Sequence, residues 1–182
     1  MNFVTSDLHL GHANIIRYCS RPFKTVEQMN QVIIQQWNER IKPFDTVFHL
    51  GDFCFKNSPG GKEGEGEQTN SRNYRDKLQG NIVFIKGNHD RNNSLNTCIT
   101  HVVLDFGGRV ILLQHHPATH PLEIPEFVDL VLCGHVHEKW FGKNFEGTPM
   151  INVGVDRNKF YPWRLDELLY WADQIKKRGD IL

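Results

Sequence analysis

The feature that most narrows what this chain can fold into is a device used five times, a short apolar run that stops at Asp, Asn or His. Phe3-Val4-Thr5 leads into Asp7 and His9, and Thr46 to Leu50 leads into Gly51-Asp52. Ile82 to Ile85 breaks at Lys86 into Gly87-Asn88-His89-Asp90, Val110 to Leu113 runs into His115-His116, and Leu130 to Leu132 into Gly134-His135-Val136-His137. Short runs rich in β-branched residues and bounded by glycine read as buried strands. The run ahead of Gly87 reads as a central strand. In open α/β sheets ligands bind beyond the carboxyl ends of the strands, so this spacing predicts five polar clusters gathered at one rim.

Between the strands lie helix and turn signals. Gly11 to Tyr18 reads as helical. Thr25-Val26-Glu27-Gln28 fits a capping box, and Val26, Met29, Ile33, Trp37 and Ile41 recur at helical spacing until Pro43. That pattern predicts an amphipathic helix laid on a sheet, with Trp37 in the core. A short helix is expected over Tyr74 to Leu78. His101 to Phe106 and Arg109 to Gln114, joined by Gly107-Gly108, read as a hairpin, and Met150 to Val155 as a further strand. Leu165, Leu168, Leu169, Ala172 and Ile175 mark a last helix stopped by Gly179. Lys56 to Asn70 is almost without apolar residues and reads as a long flexible insertion, either a lid over the Asp52 strand end or a passive surface loop.

At 182 residues, 39% hydrophobic and 23% charged, the chain is sized for one soluble globular domain over 1–182. Formal net charge is zero, which removes the global basic field behind non-specific nucleic-acid binding. An anionic substrate therefore has to be held locally. Cys19, Cys54, Cys98 and Cys133 are scattered without a C-x-x-C pair, a pattern of reduced thiols in a cytoplasmic protein rather than of a disulfide frame. Cys133 is expected to pack. No apolar run approaches about 18 residues, so neither a membrane span nor a signal peptide is expected.

Ten histidines are the compositional anomaly. Taken singly, each reads equally well as a hydrogen-bonded polar residue, and His49, on the strand before Gly51-Asp52, is read that way. Taken together, carboxylates, imidazoles and a carboxamide converging from five strand ends leave buried charge uncompensated unless a cation sits among them. Mixed N and O donors suit Mn²⁺, Fe²⁺, Ni²⁺, Co²⁺ or Zn²⁺ rather than Ca²⁺, and the lack of thiolates argues against structural zinc. A set of about seven donors is too large for one ion.

Asp7-x-His9, Gly51-Asp52, Gly87-Asn88-His89-Asp90, His115-His116-Pro117 and Gly134-His135-x-His137, in this order and each at a strand end, resemble the motifs of the calcineurin-like metallophosphoesterase superfamily. Gly11-His12-x-Asn14-Ile15-Ile16, Arg21-Pro22-Phe23 and Asn152-Val153-Gly154-Val155-Asp156 are similar to its small bacterial and phage branch. The resemblance implies an α/β fold, a four-layer α/β/β/α sandwich with mixed sheets, and a binuclear site for two divalent transition-metal ions, Mn²⁺ first among them. It implies one metal on Asp7, His9, Asp52 and His137 and a second on Asp52, Asn88, His115 and His135, with Asp52 bridging. In the His115-His116-Pro117 turn either histidine can ligate; the family's histidine stands one residue away from the proline, which favours His115.

Two cations about 3.5 to 4 Å apart acidify water and clamp both oxygens of an in-line displacement at phosphorus. His89 is then free to protonate the leaving alkoxide or to stabilise developing charge, and Asp90 either orients it or caps the turn. His12, His116 and either Arg17 or Arg21 are expected near the metal end as substrate contacts, the arginines alternatively belonging to a solvated face. Trp140, Phe141 and Phe145 offer a stacking face for a base unless they enter the core. Lys86 precedes Gly87 and Phe53-Cys54-Phe55 follows Asp52, so the arginines that protein Ser/Thr phosphatases place there are missing. The expected activity is hydrolysis of a small phosphodiester, a nucleotide-type cyclic diester and first of all a 2′,3′-cyclic nucleotide, with a phosphomonoesterase as the alternative. A non-catalytic scaffold, like the retromer subunit that resembles this fold, is disfavoured because every ligand position and His89 are filled. Neither a long nucleic-acid groove nor a membrane partner is expected.

Overall fold

The computed structural model describes residues 1–55, 69–90 and 95–181, so the insertion read over Lys56 to Asn70 lies, apart from its last two residues, outside the described residues. In chain order the elements begin β1 (Asn2–Thr5), α1 (Ala13–Tyr18), α2 (Val26–Arg40), β2 (Thr46–His49), α3 (Ser71–Arg75), β3 (Asn81–Phe84) and β4 (His101–Phe106). They continue with β5 (Arg109–Gln114), β6 (Leu130–Cys133), β7 (Gly142–Phe145), β8 (Thr148–Asn152), β9 (Trp163–Arg164) and α4 (Leu165–Arg178).

Two mixed sheets result. β3, β2 and β1 run parallel with β9 antiparallel at the edge, in the order β3-β2-β1-β9. The other sheet runs β4-β5-β6-β8-β7, parallel in its middle and antiparallel at both edges. Because side chains alternate across a strand, the inner strands serve two cores, while β4 turns its alternate residues to solvent. Val4, Ile111, Leu113, Leu130, Leu132 and Ile151 meet between the sheets, where α4 adds Leu165, Leu168, Ala172 and Ile175. The residues between them in sequence face outward: Phe3 and Val47 pack under α1 and α2, while Leu112, Val131, Cys133 and Met150 form the outer face of the second sheet. That face is covered by Ala118, Ile124, Val128, Val136 and Trp140, all from loops and turns.

α2 starts as its sequence dictates. Thr25 accepts from the Gln28 backbone N–H, and the Gln28 side chain returns a bond one residue earlier than a strict capping box, to the Lys24 N–H. Val26, Met29, Ile33 and Trp37 are its buried face, and the Trp37 indole donates to the Gln79 carbonyl. The hairpin β4–β5 and the helix α4, closed by Gly179 at positive φ, match their sequence signals.

Three expectations are corrected. The run ahead of Gly87 forms β3 at the sheet edge, not a central strand; Ile82 and Phe84 pack against the core under α1 and α2, and the chain from Thr97 to Ile99 is tied to the run by Thr97 Oγ1 donating to the Phe84 carbonyl and the Lys86 N–H donating to the Ile99 carbonyl. The short helix starts at Ser71 rather than Tyr74, because Asn70 caps it by accepting from the Asn73 N–H. The strand read over Met150 to Val155 ends at Asn152, since Val155 opens a 3₁₀ turn. Among the described residues no helix is long and apolar enough to cross a membrane.

Trp37 is fully buried and hydrogen-bonded. Trp37→Ala is expected to cost about 3–5 kcal/mol, read as a lowered urea midpoint with an unchanged m value.

Candidate metal centre

Carboxyl ends of parallel strands from both sheets meet at one rim. Ser6 and Gly154 form a lone parallel bridge that stitches the first sheet to the second beside it. The chain leaves the strands through left-handed backbone at Asp7 (φ 60°), His9 (φ 51°), Asp52 (φ 56°), His135 (φ 70°) and His137 (φ 49°). Residues other than glycine persist there only where the surroundings over-determine them, at a cost of order 1–3 kcal/mol each. The glycines before Asn88 and His135 have a different reason. A Cβ on Gly87 would collide with Asp52 Oδ1 and one on Gly134 with Ser6 Oγ and Asp7 Oδ2, so only glycine lets these turns close over the carboxylates.

The side chains converge on Asp52. Its Oδ2 lies 3.5 Å from both His9 Nε2 and His115 Nε2, and its Oδ1 accepts from the His89 N–H at 2.8 Å. Asp7 accepts from the His135 N–H with both oxygens. Asn88 Oδ1 lies 2.9 Å from His115 Nε2 and 3.0 Å from His135 Nδ1. His115 Nδ1 donates to the Leu50 carbonyl at 2.8 Å, which turns Nε2 toward Asp52 and Asn88. Asp7, His9 and His137 bring ligand atoms within 4.8 Å of one another, as do Asp7, Asp52 and His115, and His115, His116 and His135.

These donors fit divalent cations. His9 Nε2 is buried without a hydrogen-bond partner although a carboxylate stands nearby, and burying two carboxylates in contact with ring nitrogens demands positive charge between them. The titration pattern follows the same crowding of charge. Burial alone would depress His115 and His137, yet Asp52 and Asp7 raise His115, and hydrogen bonds to Asp156 and Cys19 with the Asp7 charge take His137 up to about 10. His9 is held well below its ordinary value by burial and by Arg21, and His135 is lowered to about 4 by burial and by His116 and His115. Burial raises Asp7; Asp52 is lowered in spite of its burial by His115 and His9. Protons are thus favoured on His115 and His137 and disfavoured on His9 and His135, and cation capture among these donors releases protons.

Three residues hold this arrangement from behind. Asp156 accepts from Arg21 through both oxygens and lies 3.0 Å from His137 Nδ1, which leaves His137 Nε2 for the rim. Arg21, buried, also donates to the Asp7 and Leu8 carbonyls, so it is a strut and not a phosphate contact. Asn152 donates to the His137 and Trp140 carbonyls and accepts from the Gly154 N–H. Asp156 and Asn152 carried no role in the sequence reading; the available signal was their place in Asn152-Val153-Gly154-Val155-Asp156 and the need of a ligating His137 for an orienting carboxylate. The oxygens of Asp90 accept from the Asp52, Phe53 and Gly87 N–H groups, fixing the loops that carry Asp52 and Asn88.

The His89 ring is exposed, with its centroid 5.4 Å from that of His9 and 6.2 Å from that of His12. His12 is stacked on Phe55 with Nδ1 3.4 Å from His9 Nδ1, and burial, with His89 and Arg21, lowers it to about 4. His116 is exposed, its ring centroid 4.3 Å from that of His135. Arg17 points its guanidinium over Tyr18 on the exposed side of α1. The aromatic face does not form: Phe141 is buried between the sheets, and Trp140, with Phe145 beside it, is buried on the outer face of the second sheet, which among the described residues is covered by loops and turns. His49 is packed against Phe53 and Phe84, accepts from the Gly51 N–H, and is lowered to about 3 by burial. All four cysteines are free.

Two mixed sheets carrying carboxylate, imidazole and carboxamide donors at a shared rim define a metal-dependent phosphoesterase architecture. The chain belongs to the calcineurin-like phosphoesterase superfamily, whose domain model matches residues 2–159, and membership implies divalent metal ions. An uncharacterized protein of Methanocaldococcus jannaschii is 33% identical over 168 residues, 90% of this chain and 86% of that protein. The crystal structure of a protein of unknown function from Aquifex aeolicus superposes with a TM-score of 0.68 at 27% identity, covering 94% of this chain and 98% of that one. More remote is a structure described as a novel archaeal phosphodiesterase, with a TM-score of 0.45 at 18% identity over 84% of this chain and 82% of that one.

Asp90→Ala strips three buried N–H groups of their acceptor. A loss of about 3 kcal/mol is expected, with reduced metal content although Asp90 lies behind the donors; thermal melts and metal analysis on the same preparation check both.

Proposed function

We propose that this protein is a binuclear-metal-dependent phosphodiesterase acting on a small phosphodiester, in the first instance a 2′,3′-cyclic nucleotide. The observation that carries the reading is the position of Asp52 Oδ2, equally distant from His9 Nε2 and His115 Nε2. One carboxylate shared by two groups of donors is what a metal pair requires. Asp7, His9, Asp52 and His137 would hold one ion, and Asp52, Asn88, His115 and His135 the other. His115 is preferred to His116 because its far nitrogen is fixed on the Leu50 carbonyl, the arrangement that orients a ligating imidazole. When bound, such a pair supplies Lewis acidity toward phosphoryl oxygens and lowers the pKa of water to about 7.

The chain's own groups do the rest. His89 stands at the opening, its backbone N–H fixed on Asp52 Oδ1 and its ring exposed, placed to give a proton to the departing alkoxide. Asn88, His116 and His135 leave the rim open to solvent, which suits a small ester. With Trp140 and Phe141 buried, the ring faces open to a substrate at this rim are those of His89, His116 and His135. A non-catalytic scaffold is disfavoured because all seven donors and His89 are in place.

Asp52→Asn is expected to weaken both ions and His9→Ala mainly one; two ions retained per chain in Asp52→Asn sink the bridging role. His89→Ala should keep its metal yet lose on the order of 10²-fold in kcat on an ester with a poor leaving group, and less with nitrophenolate, which departs without a proton. With Mn²⁺ present, kcat/KM for 2′,3′-cyclic nucleotides is expected to exceed that for 3′,5′-cyclic nucleotides and phosphomonoesters. A phosphomonoester ahead by about tenfold would make the protein a phosphatase.

A further inference from the structure

A cleft of about 380 Å³ opens beside the metal centre and shares His115 and His116 with it. Lys86, Thr100, His101 and Gln114 supply most of the rest of its wall, where the end of β3, the start of β4 and the end of β5 come together. Two bonds set its shape: the Lys86 N–H donates to the Ile99 carbonyl, placing Lys86 alongside Thr100, and the Gln114 carboxamide donates to the His116 carbonyl. The size is at the small end for a ligand site.

We propose that this cleft is the subsite for the non-reacting end of the substrate, and that it selects an ester whose far end is a phosphorylated, hydroxyl-bearing group, the second phosphate pairing with Lys86. The inference rests on the phosphoesterase reading of the adjoining centre and adds what that reading leaves open. Lys86 is half-buried, and among the described residues its ammonium makes no ion pair or hydrogen bond. A cation kept partly out of water without a partner is stabilised by an arriving anion. The carboxylate on the same wall, Glu123, is held by the Thr119 N–H and hydroxyl and forms no ion pair with Lys86. Thr100, His101 and Gln114 are hydrogen-bonding groups suited to sugar hydroxyls, and Pro117 is the apolar side chain on the wall. Such a surface favours a sugar phosphate over a flat base. Lys86 lines the same cleft as His115 and His116, which sets the second charge on a wall shared with the reacting centre.

The test compares adenosine 3′,5′-bisphosphate with adenosine 3′-monophosphate, as ligands in calorimetric titrations of the Mn²⁺-loaded protein and as competitors of bis(p-nitrophenyl) phosphate hydrolysis. The bisphosphate should bind at least about tenfold more tightly, the preference weakening with added salt. Lys86→Gln should bring the two Kd values within about threefold, and Lys86→Arg, which keeps the charge, should restore the gap. Metal content in each variant reports that the fold and centre are intact. Equal affinities in the unmodified protein, or the same preference persisting in Lys86→Gln, would overturn the assignment, the second by showing that both phosphates sit on the metals. No turnover of the chromogenic diester, with the Lys86-dependent preference still present, would refute the phosphodiesterase reading and leave the cleft standing.

Discussion

The structure depends on one electrostatic demand: two buried carboxylates, Asp7 and Asp52, must be kept apart from water and balanced. Asp52 is fixed by the His89 N–H and Asp7 by the His135 N–H, so each acid is gripped by the turn that also delivers the next donor. Backbone donors aimed at a carboxylate stabilise its charged form, but they cannot cancel a full charge. The remaining imbalance draws a proton to His115, as Asp156 and Cys19, with Asp7, draw one to His137, and it makes the rim a place for cations.

Supporting groups lie one layer behind. Arg21 and Asp156 form a buried ion pair that reaches from the first strand end to the turn after β8, contacting backbone at Asp7 and Leu8 on one side and His137 on the other. Such a pair contributes little net stability against an apolar substitute. Its value is orientation, because it sets which nitrogen of His137 faces the rim. Asp90 does the same for two loops by satisfying their N–H groups, and Asn152 for the turn that carries His137.

Much of this was legible in the sequence. The strands, the hairpin, α2 and α4 announce themselves through period and caps, and the donors through their recurrence after strands. The edge position of β3 was not legible, because a four-residue apolar run looks the same whether a second strand or a loop covers it. The fate of Trp140 was equally hidden: an aromatic beside a ligand reads as a platform, whereas here it joins the loop and turn residues that, among those described, cover the second sheet. Asp156 acts across 135 residues from Arg21, a separation at which no local spacing rule operates. The N–H groups of Asp52 and Phe53 that Asp90 holds lie 38 and 37 residues away, equally beyond local rules.

The left-handed backbone at five donor positions carries a cost that fold stability alone would not retain. Glycine adopts that conformation without the Cβ penalty that histidine and aspartate carry, so exchange to glycine at these positions would relieve strain while erasing donors. Fold and chemistry therefore pull against each other at the same residues. In a descendant released from selection for activity, these five turns are where drift would be rewarded first, leaving a sturdier sandwich with a blank rim.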